Sequence, residues 1–393
     1  MKTVGIICEY NPLHKGHQWH IEETRRIIGG EAAVICVMSG NFVQRGDFAI
    51  FNKHARAKMA ICGGADLVIE LPAAYTLQSA EGFARAGVYI LDRLGICDYL
   101  SFGSEAGDIE VINDAALAIS SEKAQLLTRE WLEKGISYAS AQQKAADAIL
   151  GKRADVFSSP NNVLGIEYIK ALKRYDSNIQ PITVKRTGGD HDSDTGYSAS
   201  ALRKSFLSGS LPAALMPETA LAISKEEIEA GRSPVSMKRA ELAILFRLRS
   251  MKDFTDVPGI SEGLESRFMR YAKRGSSVAS ILSGVKTKRY TMSRLRRMLV
   301  NASLGIRVDD TKDDPPYARV LAMNSTGKNL LAKARKKTKL PIITKPASVY
   351  GLNEAAVKLF ELEAAATDLY VLAYQNEEER VGGQEWLRSP IVT

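Results

Sequence analysis

Cysteine is scarce in this chain. Four occur in 393 residues, Cys8, Cys36, Cys62 and Cys97, with no C-x-x-C pair. That spacing excludes a zinc ribbon or finger, whose ligands come in close pairs, and a disulfide scaffold. Cys8 and Cys36 fall inside apolar runs, where a thiol behaves as a small buried hydrophobe. Long apolar runs are also missing: none approaches the roughly 20 residues that span a bilayer. The opening MKTVGIICEYNP turns polar too soon for a secretory signal. Reduced thiols, a cytoplasmic location and no membrane partner are therefore expected. Histidine is sparse too, and all five fall before residue 192: His14, His17, His20, His54 and His191. What remains, 45% hydrophobic and 25% charged, is an ordinary globular composition, long enough for two or three cores.

Charge is distributed unevenly. The net +8 conceals a segment, residues 232–345, with 26 Lys and Arg against 9 Asp and Glu, a balance of +17. The remainder is acidic by 9. A catalytic half joined to a polyanion-binding half gives such a division. We place the boundary near residue 220, with 1–220 as the catalytic domain and 221–393 as a mainly helical basic domain.

In the first half, β-branched apolar runs at 4–8, 33–38, 67–71, 99–102 and 182–184 alternate with amphipathic stretches at 17–28, 53–62 and 80–94. This alternation predicts an α/β fold with a parallel sheet. If the strand order is 3-2-1-4-5, that order reverses between the first and fourth strands, and ligand binds beyond their carboxyl ends, at residues 9–17 and 103–105. A helical stretch follows at 108–150, and another helix at 161–175. Beyond residue 236 the pattern is mostly helical, with short strands expected within 317–323 and 340–344.

The loop after the first strand reads Glu9-Tyr10-Asn11-Pro12-Leu13-His14-Lys15-Gly16-His17. We expect His17 to open a helix whose free N–H groups attract phosphate, His14 to approach the same anion, and Gly16 to let the backbone come close. Two imidazoles there stabilise the charge that develops as pyrophosphate leaves a nucleotide. His20, one turn further on, reads as structural. After the fifth strand, Ser198 suits a helix N-cap and Arg203 lies one turn in, aimed at phosphate. Asp190, His191, Asp192 and Asp194 form an acidic loop, either a lid or a solvated turn. The helix carrying Lys53, His54, Arg56 and Lys58 reads as a solvated face.

His-x-Gly-His near the start and Ser-x-Ser-x-x-Arg after the fifth strand resemble the cytidylyltransferase-like nucleotidyltransferases. That resemblance implies a Rossmann-like parallel-sheet domain. The succession GIICEYNPLHKGH, SGNFVQRGDFAIFNKHARA, FGSE, NNVLGIEYIKAL, YSASALR and KTKRYTMSRLRRMLVNASLGI is similar, over nearly the whole chain, to the bacterial tRNA(Met) cytidine acetate ligase family. The resemblance implies formation of acetyl-adenylate from acetate and ATP, then acetyl transfer to N4 of the wobble cytidine of elongator tRNA(Met). By the same resemblance, Ile7, Glu9, Tyr10, Asn11, Pro12, His14, Gly16, His17, His20, Gly103, Asn162, Arg186, Thr187 and Ser198 bind ATP. His14, His17 and Arg203 act in catalysis. Ser39, Asn41 and Arg45 are the acetate candidates, although Arg45 equally suits an RNA phosphate, and Asn162 equally suits a local cap.

Lys286, Lys288, Arg289, Tyr290, Arg294, Arg296 and Arg297 are the tRNA candidates, arginine forks with an aromatic ring for stacking. A second basic run holds Lys333, Arg335, Lys336, Lys337 and Lys339. Mg2+ can accompany the triphosphate, and no protein-bound metal is expected. Two other readings stay open: a nucleotidyltransferase for a small phosphorylated metabolite, and a non-enzymatic RNA-binding scaffold.

Overall fold

A computed structural model describes residues 1–186, 199–261 and 263–393. Ten strands occur among them: β1 (Lys2–Cys8), β2 (Ala32–Ser39), β3 (Phe42–Val43), β4 (Asp47–Phe48), β5 (Leu67–Leu71), β6 (Tyr99–Ser104), β7 (Gln180–Lys185), β8 (Ala318–Met323), β9 (Ile342–Ile343) and β10 (Ile391–Val392). Strands β3 and β4 form a small antiparallel hairpin. The other eight make one sheet in the order β10-β8-β5-β2-β1-β6-β7, with β9 beside β8. The five strands expected from the first half, β5-β2-β1-β6-β7, are parallel and follow the 3-2-1-4-5 order. Every residue of β2 (AAVICVMS) is buried, as a continuous apolar run with helices on both faces requires.

Two of the helices that pack on this sheet start on side-chain caps. Asn52 accepts from the Ala55 N–H (2.9 Å) at Lys53–Cys62, and Ser79 from the Gly82 N–H (3.3 Å) at Ala80–Arg93. The stretch after β6 folds as Ile109–Ser120, Glu122–Glu133 and Tyr138–Leu150, then Pro160–Arg174. No helix among the described residues is long and apolar enough to cross a membrane. All four cysteines are free, and Cys8 and Cys36 are buried.

The sheet does not respect the expected boundary at residue 220. The expected strands in 317–323 and 340–344 form as β8 and β9, but β8 pairs antiparallel with β5, and β10 joins β8. The second half therefore completes the sheet of the first. The helices Leu264–Arg274, Val278–Val285 and Met292–Leu304 form the basic part beside it.

A buried ionic cluster fastens this junction. Lys53 lies 2.5 Å from Glu70 on β5, 2.5 Å from Glu385 and 3.6 Å from Glu363 on the Glu354–Val371 helix. Arg319 on β8 lies 3.4 Å from Glu70 and pairs with Glu385, whose other oxygen accepts from Thr367 (2.6 Å). Lys53 is 1% exposed, so the reading of this helix as a solvated face is wrong. Three carboxylates face two cations, which leaves one negative charge unmatched. The carboxyl of Glu363 absorbs it: burial, and then the Glu70 carboxylate, push its pKa up to about 7.

The folded state therefore binds a proton that the unfolded chain has released above its ordinary value of 4.5. This group's contribution to stability falls as pH rises from about 4.5 to 7. Glu363→Gln, neutral at every pH, should gain stability relative to the native protein between pH 5.5 and 8, measured by urea denaturation. A difference that does not change with pH would refute the assignment.

Candidate active site

The histidine loop leaves β1 through Tyr10, whose φ is +42°, and its apolar residues anchor it. Leu13 is fully buried, and the Tyr10 hydroxyl lies 3.6 Å from the Cys36 sulfur. Asn11 Oδ1 accepts from the Ile50 N–H (2.8 Å). Ile7, Tyr10, Asn11 and Pro12 are all buried, so their side chains brace the loop rather than face the cleft.

The helix opens at Lys15, not at His17. His14 is its N-cap and His17 its third residue. His14 Nδ1 accepts from the Gly16 N–H (3.1 Å), while His17 Nδ1 accepts from the His14 N–H (3.3 Å). The two rings stack at 3.7 Å between centroids, and Tyr10 tilts against His17 at 4.9 Å. This reciprocal cap corrects the expectation of free backbone N–H groups, since the imidazoles occupy two of them. It also sets the tautomer: an Nδ1 that accepts leaves the ring proton on Nε2. Both rings thus present an Nε2–H donor. A Cβ at Gly16 would sit 2.9 Å from the His14 ring, so a glycine lets that ring fold over the first turn.

Arg203, on the Ala199–Leu207 helix, reaches this loop. It donates to the Asn11 carbonyl (3.0 Å) and to Ser200 Oγ (3.0 Å). Burial pulls its pKa down, while Glu9 and Asp47 hold it up. The Glu9 carboxyl is raised by burial, against the Gln44 N–H (2.6 Å) and the charges of Arg203, Arg56 and Arg45.

On the β6 side, the Arg186 side chain lies across Gly103 and 3.8 Å from Glu105. Asn162 does not cap its own helix: its Oδ1 accepts from the N–H groups of Glu105 (2.9 Å) and Ala106 (3.1 Å), in the loop after β6. His20 Nε2 lies 3.1 Å from Ser101 Oγ on β6, and burial, then Arg186, push its pKa down to about 4. It is a neutral structural residue at the edge of the crevice. Thr187, Ser198 and the acidic residues Asp190, His191, Asp192 and Asp194 lie outside the described residues.

Two of the acetate candidates are buried. Asn41 is buried, its amide nitrogen donating to Thr367 Oγ1 (3.1 Å) and its oxygen accepting from the Lys53 N–H (2.9 Å), so both ends of the amide are engaged within the protein. Ser39 is fully buried beneath the end of β2. Arg45 alone of the three is exposed. Beneath these residues lies Arg56, which donates to the carbonyls of Ser39 (3.0 Å), Gly40, Glu9 and Phe51 (3.0 Å). Sequence reasoning missed Arg56. The signal was there: Lys53, Arg56, Ala57 and Ala60 fall on one helical stripe, the spacing of a buried face.

The basic half meets the site through the β3–β4 hairpin. Gln44, whose N–H holds Glu9, accepts from Arg297 at its carbonyl (3.4 Å). Gly46 packs so close to the Met292–Leu304 helix that a Cβ would lie 2.4 Å from the Arg297 nitrogen. Burial raises the Asp47 carboxyl, against Arg296 and Arg203.

Tyr290 is only 7% exposed, with Arg294 (5.0 Å) and Arg289 (5.8 Å) over its ring, so it is not a stacking platform for a base. Lys286 closes its own loop onto the Tyr290 carbonyl (2.6 Å), and Arg294 holds the Gly259 carbonyl (2.8 Å). Lys288, Arg289 and Arg296 remain exposed. The second basic run sits at the other end of the sheet: Lys337 packs beside Gly95 and Thr338 bonds to Arg93, both ahead of the start of β6.

The HIGH Nucleotidyl Transferase family model matches residues 1–385. A tRNA(Met) cytidine acetate ligase of Acetivibrio thermocellus is 39% identical, with the alignment covering 100% of both chains. One of Caldicellulosiruptor saccharolyticus is 40% identical over 95% of each. The chain belongs to the tRNA(Met) cytidine acetate ligase family. Its fold matches the crystal structure of Thermotoga maritima TmcAL bound with alpha-thio ATP at TM-score 0.92 and 32% identity, over 100% of this chain and 99% of that one. The apo crystal form of that protein gives 0.94 at the same identity and coverage.

For a ligase of this family, loss of either Nε2–H donor should strike nucleotidyl transfer. His14→Ala and His17→Ala should each slow pyrophosphate exchange into ATP by about 10²–10³. Their stability should fall only by the ~1 kcal/mol of a lost cap. Near-normal exchange in both would reject the pair.

Proposed function

We infer that this protein activates acetate with ATP as acetyl-adenylate and transfers the acetyl group to N4 of the wobble cytidine of elongator tRNA(Met). The observation that carries this reading is the contact between two surfaces. The hairpin that holds Glu9 at the adenylation loop also holds Arg297 of the basic helix through one residue, Gln44. An RNA seated on that helix thus lies next to the pocket where the activated acid forms.

In the first step, an acetate oxygen attacks the α-phosphorus of ATP and the bond to the β-phosphate oxygen breaks, releasing pyrophosphate. The Nε2–H groups of His14 and His17 donate to the phosphate oxygens that gain charge, and Arg203 adds its guanidinium. None of these three needs to act as a base. Arg186 and Gly103 border the side of the crevice between β1 and β6, where the nucleoside would lie. Arg45, at the rim, serves the acetate carboxylate or an incoming RNA phosphate.

In the second step, the N4 amine attacks the acetyl carbonyl, AMP leaves with the electron pair of the broken bond, and the nitrogen loses a proton. Activation is needed because acetate is a poor electrophile and the cytidine amine shares its lone pair with the ring. Mg2+ would travel with the triphosphate and be held by phosphate oxygens and water. Glu9, the carboxylate of the loop, is already opposed by Arg203, Arg56 and Arg45 and does not suit a metal. The cytoplasm, where tRNA and ATP meet, is the compartment this activity requires.

Lys288 and Arg289 are exposed phosphate-contact candidates clear of the nucleotide loop. Replacing both with Ala should flatten the salt dependence of tRNA binding by about 0.7–0.9 log units per lost contact, measured by filter binding across salt concentrations. Pyrophosphate exchange should survive. If exchange collapsed while RNA affinity held, the division of labour would be wrong.

A further inference from the structure

A second polar cavity of about 170 Å3 lies off the first turn of the Lys53–Cys62 helix. The Glu218–Glu229 helix and the segment around Glu385 and Arg388 wall its other sides. It differs from the nucleotide crevice in both lining and position: neither the histidine pair nor Arg203 borders it.

The carboxylates on its wall are already matched. Glu226 pairs with Lys58 (3.0 Å). Glu227 pairs with Arg232 (2.8 Å) and accepts from Asn52 (2.7 Å). Glu385 is held by Lys53 and Arg319.

Two basic side chains are not matched. Both ring nitrogens of His54 are buried without a hydrogen-bond partner. The Arg388 guanidinium makes no hydrogen bond or ion pair among the described residues, and its side chain is exposed at the mouth. A buried polar group without a partner is unfavourable, so a ligand that serves His54 is favoured. The charged groups acting on His54 are all positive: Lys53, Arg319 and Arg388, which with burial hold its pKa well below the usual range. Such surroundings favour an anion over a neutral or cationic guest.

We propose that this cavity is a binding site for a small oxyanion, of the size of phosphate or acetate, held between a ring N–H of His54 and the guanidinium of Arg388. A planar fork and a fixed N–H donor together suit two oxygens of one carboxylate or phosphate. The occupant would brace the helix whose Arg56 gathers the carbonyls of the site loops, so the two pockets share one structural support.

Isothermal titration calorimetry tests this on the full chain saturated with a non-hydrolysable ATP analogue, which fills the phosphate position at the histidine pair. Inorganic phosphate and, separately, acetate are titrated into the native protein, His54→Ala and Arg388→Ala. We expect saturable binding of one of these anions that weakens about tenfold or more in each variant, with pyrophosphate exchange intact in both. Phosphate sensitivity identifies a phosphate site, and acetate sensitivity a carboxylate site.

Arg388 is exposed, so its variant decides the matter even if His54→Ala folds poorly. Binding of neither anion, or binding indifferent to both substitutions, overturns the proposal. If the analogue does not bind, the readout is the part of the anion binding that disappears in His54→Ala and Arg388→Ala, which the histidine pair does not supply, so failure here is distinct from failure of the adenylation reading.

Discussion

One guanidinium, that of Arg56, is buried under the carboxyl ends of β1 and β2, and the site loops depend on it. It collects carbonyl oxygens from Glu9, Ser39, Gly40 and Phe51. These come from three separate turns that would otherwise leave unsatisfied acceptors inside the protein. Hydrogen bonds to a charged donor contribute about 1.5–3 kcal/mol each, against a total stability of roughly 5–15 kcal/mol for an ordinary protein. Burial lowers the pKa of Arg56, yet a guanidinium keeps its charge where an ammonium would give up its proton. The position of the histidine loop is therefore an outcome of packing and backbone satisfaction, and a ligand need not impose it.

From this clasp the arrangement of the two halves follows. The same helix that carries Arg56 carries Lys53, which reaches sideways into the carboxylates of β5 and of the segments near Glu363 and Glu385. Through it, the elements that complete the sheet register against the elements that shape the cleft. The β3–β4 hairpin supplies the other link, with Gln44 between Glu9 and Arg297. The basic helices are thus packed against the half that carries the histidine loop rather than tethered to it.

Much of this was legible in the sequence, and the reasons are physical. Parallel strands buried on both faces are continuous β-branched runs, so the five core strands could be read from periodicity, while their order had to be assumed. The histidine loop was legible because strand, turn and helix N-terminus are local. The misreadings concern partners distant in sequence. Asn41 is consumed by Thr367, 326 residues away, and β5 pairs with β8 across some 250 residues. The burial of Lys53 and Arg56 was hidden because a charged residue ordinarily reads as solvent-facing. Tyr290 failed for a related reason: an aromatic ring between arginines suggests a nucleic-acid surface, yet here the arginines cover the ring.

The antiparallel pairing of β8 with β5 has a consequence for how the chain is made. During synthesis the first half emerges complete in its βαβ units, yet β5 keeps a bare hydrogen-bonding edge until residues 318–323 follow. That edge is largely apolar, the kind that attracts neighbouring chains. The nascent protein therefore passes through an interval in which a nearly finished catalytic half is exposed to mispairing, and the arrival of β8 ends it.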